Sequence, residues 1–143
     1  ELQGVPGALV ETGVWRGANG ILLATLLRAW GDSARRVYNL DSFEWLPPAN
    51  EKLYPQDTND IHNSLPEMCP VLTLFADYQA VQRAFQHYGI SSRDTLLIKG
   101  FFNKTVPKFG RLLTSRNESL AILRLDGDMY ESTWQVFVGL YEF

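Results

Sequence analysis

Two carboxylates flank a glycine in the run Leu125-Asp126-Gly127-Asp128-Met129-Tyr130, directly after an apolar stretch. Aspartate oxygens are hard donors, and Mg2+ or a similar cation takes one or two protein carboxylates while keeping several waters. A solvated Asp-Gly turn is the plainer explanation, since that pair is common in turns. The position of Asp126 at the end of a strand, where parallel sheets bind ligands, favours the metal-poised one. Asp126-x-Asp128 also suits a nucleotide-sugar glycosyltransferase, whose metal bridges a diphosphate. A second motif is Glu11-x-Gly13-x-x-x-Gly17. Gly13 lets the backbone turn sharply and approach a ligand, and Gly17 lets a helix begin close against it. The spacing is not the G-x-G-x-x-G of dinucleotide sites, and an acid at the strand end suits a cationic or hydroxyl-bearing ligand better than a phosphate. Asp41 is the third candidate, closing a strand where a carboxylate can accept hydrogen bonds from two ribose hydroxyls. Its offset from the glycine turn is longer than the usual one of roughly 20 residues.

The remaining reactive side chains read as structural. His62 and His87 have no Cys or His partners at metal spacing. Cys69 has no nearby base and reads as a small buried residue. Trp30, Phe85, Tyr88, Trp134, Phe137 and Leu140 recur at helical spacing and are expected in the core. Phe43 and Trp45 could stack on a flat ligand or pin their loop.

These residues need a scaffold that brings strand ends together. Short apolar runs alternate with helical patterns, the signature of βαβ units around a parallel sheet. Strands are expected at 8–11, 36–40, 95–99 and 120–125. Helices are expected at about 18–30, 77–88 and 103–113, with a last one starting near Ser132 or Thr133, either of which can cap it. Residues 42–74 carry Pro47, Pro48, Pro55, Pro66 and Pro70 and read as one long irregular, lid-like insertion.

At 143 residues, 45% hydrophobic and 20% charged, the chain suits one ordinary globular domain. The net charge of −3 argues against nucleic-acid or anionic-membrane partners, which need a basic face. A single cysteine permits no internal disulfide, and no apolar run approaches the roughly 20 residues of a membrane span, so a cytoplasmic location is expected. The first residue is Glu1, and the sequence stops at Leu140-Tyr141-Glu142-Phe143 inside what reads as a helix. A C-terminally truncated fragment of a longer domain is therefore expected.

The stretch Val10 to Gly17, the runs Leu40 to Phe43 and Leu46 to Pro48, Gly100 to Phe102, and above all Leu123 to Thr133 together resemble the macrocin O-methyltransferase family across essentially the whole chain. The resemblance implies a Rossmann-like class I methyltransferase fold, an α/β parallel sheet with flanking helices. It implies S-adenosylmethionine as cofactor, a divalent metal such as Mg2+, and a small hydroxylated acceptor such as a natural-product sugar, with a homo-oligomer allowed. Glu11, Thr12, Gly13 and Gly17 would line the methionine part of the cofactor. Asp41 and Ser42 would hold its ribose, and Gly100 and Phe101 would lie near the adenine. Asp126 would be a metal ligand, with Asp128 an alternate carboxylate beside it. Further acidic ligands in the family follow a later strand, beyond Phe143. Related catechol-type enzymes place a lysine base shortly after the metal aspartate, and Met129 stands there in this chain, so no base is assigned. The rival readings are the glycosyltransferase and a non-catalytic small-molecule-binding module.

Overall fold

A computed structural model describes residues 4–58 and 75–143. Four strands, β1 (Ala8–Thr12), β2 (Val37–Asp41), β3 (Thr95–Lys99) and β4 (Leu120–Leu125), form one sheet in the order β3-β2-β1-β4. Every pairing is parallel, with Val10 opposite Tyr38 on one side and Leu123 on the other. The connections are made by α1 (Ala18–Ala29), α2 (Tyr78–His87) and α3 (Phe102–Arg116), and α4 (Tyr130–Leu140) follows β4. Strand order reverses between β1 and β4. In open sheets of this kind the crevice at that switch point is where ligands sit.

The period-2 alternation of side chains along each strand splits the core into two layers. Ala8, Val10, Tyr38 and Leu40 face α3 and α4, where Phe109, Leu113, Val136 and Leu140 cover them. Leu9 and Val37 point the other way and meet Ala24 and Leu27 of α1 with Val81 and Phe85 of α2. Both faces are covered, which is why the strands read as continuous apolar runs. Burying each large aliphatic or aromatic side chain contributes about 1.5–3 kcal/mol. Gly17 and Gly20 bring α1 down onto this layer. A Cβ at Gly17 would lie 2.6 Å from the Phe85 ring, and one at Gly20 would collide with the Asn39 side-chain oxygen.

Several expectations are corrected. The third helix is longer than 103–113, because Pro107 is tolerated inside it and Asn117, in the left-handed region at φ 49°, closes its C-terminus. The fourth helix starts at Tyr130, before Ser132 or Thr133, and Met129 at its N-cap offers no side-chain acceptor. That helix also ends at Leu140: the Phe143 carbonyl accepts from the Leu120 N–H at 3.1 Å, and the Phe143 ring packs on the core. Phe85 and Leu140 are buried, but Trp30 and Tyr88 are 74% and 64% exposed. Both sit at helix C-caps, past the last residue whose helical geometry would aim them at the sheet. Trp134 and Phe137 are also largely exposed, in a ladder of rings from Tyr130 to Tyr141 along one side of α4. The described part of the insertion, 42–58, contains neither helix nor strand, while His62, Cys69 and the stretch 59–74 lie outside the described residues. No helix among the described residues is long and apolar enough to cross a membrane.

Candidate active site

The turn after β1 is built around Asp41 at the end of β2. Its Oδ2 accepts from the Val14 N–H at 2.6 Å and the Trp15 N–H at 3.0 Å. Its Oδ1 accepts from the Phe43 N–H at 2.7 Å and, at 3.4 Å, from the Ser42 hydroxyl. A carboxylate has about four acceptor sites, so the chain itself already engages them. Asp41 thus ties the turns after β1 and β2 together. Phe43, expected either to stack on a ligand or to pin its loop, is buried against Tyr78 and pins it.

Gly13 lets the same turn meet the end of β4. Its φ is +86°, and a Cβ there would run into the Asp126 carbonyl oxygen. The Asp126 N–H in turn donates to the Thr12 carbonyl at 2.9 Å, so these two strand ends lock by their backbones. Beneath them lies a chain of charges. Arg124 donates to Asp126 Oδ2 at 2.6 Å and to Glu11 Oε1 at 3.2 Å. Glu11 is 1% exposed, and its Oε2 is buried without a well-formed hydrogen bond. Burial pushes its carboxyl above the ordinary 4.5, against the opposing pull of the Asn19 amide and the Arg124 guanidinium.

Trp15, Phe43 and Asp128 all hold positive φ, at 49°, 50° and 58°. Each follows a different strand; aspartate enters that region readily, whereas Trp15 and Phe43 adopt it only where surrounding contacts impose it. Strain at these two adjacent strand ends marks a built site. Between these turns opens a cavity of about 490 Å³, within the usual span of small-molecule sites. Gly13, Trp15 and Asp41 form one wall, Asp126 and Asp128 another, and Leu46, Pro47 and Pro48 a third. Its charged lining residues are Asp41, Glu44, Asp126, Asp128 and Glu131, all acidic. Arg124 pairs with Asp126 and Lys99 with Glu44, which tempers that charge, and the remaining excess of carboxylates favours a cation over an anion.

Comparison with known proteins agrees with this geometry. The family profile described as macrocin-O-methyltransferase (TylF) matches residues 1–143. The chain belongs to that family. It is 38% identical over 141 residues to the 8-demethyl-8-(2,3-dimethoxy-alpha-L-rhamnosyl)-tetracenomycin-C 4'-O-methyltransferase of Streptomyces olivaceus, covering 96% of this chain and 49% of that protein. It is 38% identical over 137 residues to the demethyldecarbamoylnovobiocin O-methyltransferase of Streptomyces niveus, covering 96% of this chain and 48% of that one. The solved structure of the O-methyltransferase NovP superposes with a TM-score of 0.77 at 35% identity, over 98% of this chain and 53% of the other. The chain thus spans about half the length of the curated relatives it matches.

Among the site residues expected from the sequence, Gly13, Asp41, Ser42, Phe101, Asp126 and Asp128 converge on the cavity. Glu11, Thr12, Gly17 and Gly100 lie outside its lining. Thr12 is fully buried, with its hydroxyl donating to the Arg124 carbonyl at 2.9 Å, and Gly17 faces Phe85. Met129, at the position where related enzymes carry a base, is buried. As a donor set for a divalent cation, Asp126 and Asp128 are chemically apt and share one turn. Among the described residues no group of three His, Cys, Asp or Glu could hold a metal ion. The sequence reading missed Arg124, Glu44, Glu131 and the pinning role of Asp41. Arg124 stood inside the Leu123 to Thr133 match, but only the sheet shows that it links Glu11 to Asp126.

Proposed function

We propose that the intact protein is an S-adenosylmethionine-dependent O-methyltransferase acting on a hydroxyl of a small molecule, a natural-product sugar by analogy with the relatives' names. The observation that carries this reading is the all-acidic charged lining of a cavity at the sheet's switch point. A sulfonium is a cation and gains from that lining. The family match favours methyl transfer over the glycosyltransferase reading. Bound there, S-adenosylmethionine supplies an electrophilic methyl group, and a divalent cation lowers the pKa of an acceptor hydroxyl.

The chain's own residues supply orientation and dryness. Gly13 and the N–H groups fixed by Asp41 shape the wall against which the methionine portion would lie. Ser42 offers a hydroxyl to the ribose, and Phe101 an apolar face to the adenine. Asp126 and Asp128 would hold the cation, with Arg124 fixing one oxygen of Asp126. Leu46, Pro47 and Pro48 line the cavity with apolar surface, which would limit water beside a bound ligand. Transfer to oxygen is an in-line displacement, so holding donor and acceptor in register provides much of the acceleration.

Calorimetric titration of the intact protein tests this. It should bind S-adenosylhomocysteine, and Asp41→Ala should bind about tenfold more weakly or worse, since three backbone N–H groups lose a charged acceptor. Equal affinities would remove Asp41 from the site, and binding of a nucleoside diphosphate sugar instead would reverse the assignment.

A further inference from the structure

One buried carboxylate ties the 42–58 loop to the far side of the cavity, and the chemistry proposed above does not use it. Asp57 is 6% exposed. Its Oδ1 accepts from the Tyr130 N–H at 2.7 Å and its Oδ2 from the Glu131 N–H at 2.8 Å. These are the first two N–H groups of α4, which have no acceptor within the helix, and Met129 at the N-cap supplies none. The anion also lies at the positive end of the helix dipole. The Tyr54 and Tyr130 rings meet nearby, with centroids 6.1 Å apart.

The loop is built to transmit this anchor. The Tyr54 N–H donates to the Asn50 carbonyl at 2.8 Å and the Asp57 N–H to the Tyr54 carbonyl at 3.0 Å, so 50–57 is a chain of interlocked turns. Leu46, Pro47 and Asn50 upstream of the anchor line the cavity, and Asp128, Glu131 and Gln135 line it from the α4 side. The two hydrogen bonds of Asp57 therefore join the loop that lines the cavity to the helix that lines it. They also fix the start of α4, two residues beyond Asp128.

We propose that Asp57 is a positioning residue that clips the 42–58 loop onto the N-terminus of α4, holding the loop wall of the cavity in place and setting the Asp126–Asp128 turn. As far as ligand retention is concerned, this rests on the cavity being the S-adenosylmethionine site. The test is hydrogen exchange on the intact protein together with dissociation of S-adenosylhomocysteine, for wild type, Asp57→Ala, Asp57→Asn and Asp77→Ala. Asp77 caps α2 by accepting from Ala80 at 2.8 Å and is exposed, so its variant loses a cap away from the cavity.

Asp57→Ala should raise exchange about tenfold both in the first turn of α4 and across 46–56, and speed dissociation about tenfold, the effect of losing a helix cap. Asp57→Asn, keeping one acceptor oxygen, should fall between, which also guards against a misfolded alanine variant. Asp77→Ala should change neither. Exchange confined to α4 with the loop unaffected, or an equal response in Asp77→Ala, would overturn the clip. If wild type binds no S-adenosylhomocysteine, the functional reading fails while the exchange comparison still decides the role of Asp57.

Discussion

Replacing Gly13 with alanine separates close packing from backbone freedom. Gly13 and Gly31 both occupy the left-handed region, at φ +86° and +71°. An L-residue there costs about 1–2 kcal/mol. At Gly31 that is the whole penalty, because nothing lies within 4 Å of the added Cβ. At Gly13 the Cβ collides with the Asp126 backbone carbonyl, which cannot swing aside as a flexible side chain would. It is held through the adjacent Asp126 N–H bonded to Thr12. Forcing extra volume into such a site costs about 1–3 kcal/mol more. Gly13→Ala should therefore lose about 2–5 kcal/mol against about 1–2 kcal/mol for Gly31→Ala. In urea, with a slope of about 2 kcal/mol per molar, the Gly13 midpoint falls by roughly 1–2.5 M. Helical circular dichroism recorded at low urea should stay near native, while S-adenosylhomocysteine affinity drops in Gly13→Ala alone, because the Val14 and Trp15 N–H groups move with the turn. Equal midpoint shifts in the two variants would refute a steric origin and leave Gly13 as an ordinary connector.

The buried carboxylate of Glu11 sets a pH dependence. Its folded pKa lies above 4.5, so its contribution favours folding at low pH and is lost as pH rises through the raised value. Thermal melting of Glu11→Gln and wild type should therefore diverge in the variant's favour above pH 4.5, and parallel curves would mean the carboxyl is not perturbed. For the metal, Mg2+ should raise the melting temperature of the intact protein, and Asp126→Asn should abolish that rise without unfolding the protein in the metal's absence. A rise retained in full would place the cation away from Asp126.

Much of the architecture was legible in the sequence because it depends on local patterning. Strands β3 and β4 fall at their expected bounds, since short β-branched and leucine runs between turn residues have few other uses. The strand-end candidates Gly13, Asp41 and Asp126 meet at one crevice because a parallel sheet places all carboxyl ends on one edge. Helix termini were less legible. Met129 is a poor cap by any propensity, and the acceptors for the first N–H groups of α4 come instead from Asp57, 73 residues before Tyr130 in the chain.

The same division runs through the site. Residue type and position alone marked Asp41 as a strand-end acid. Tertiary structure decided that its oxygens bind the N–H groups of two turns, an arrangement that requires β1 and β2 side by side. Glu11 reads in sequence as a strand-end acid before a glycine turn, yet Asn19 and Gly20 of α1 reach it, and Arg124 pairs with it from the neighbouring strand. Pattern and propensity act over a few residues and so specify elements. Burial, charge pairing and the sign of the cavity's field arise between segments far apart in the chain, and only the folded sheet brings those segments within reach of one another.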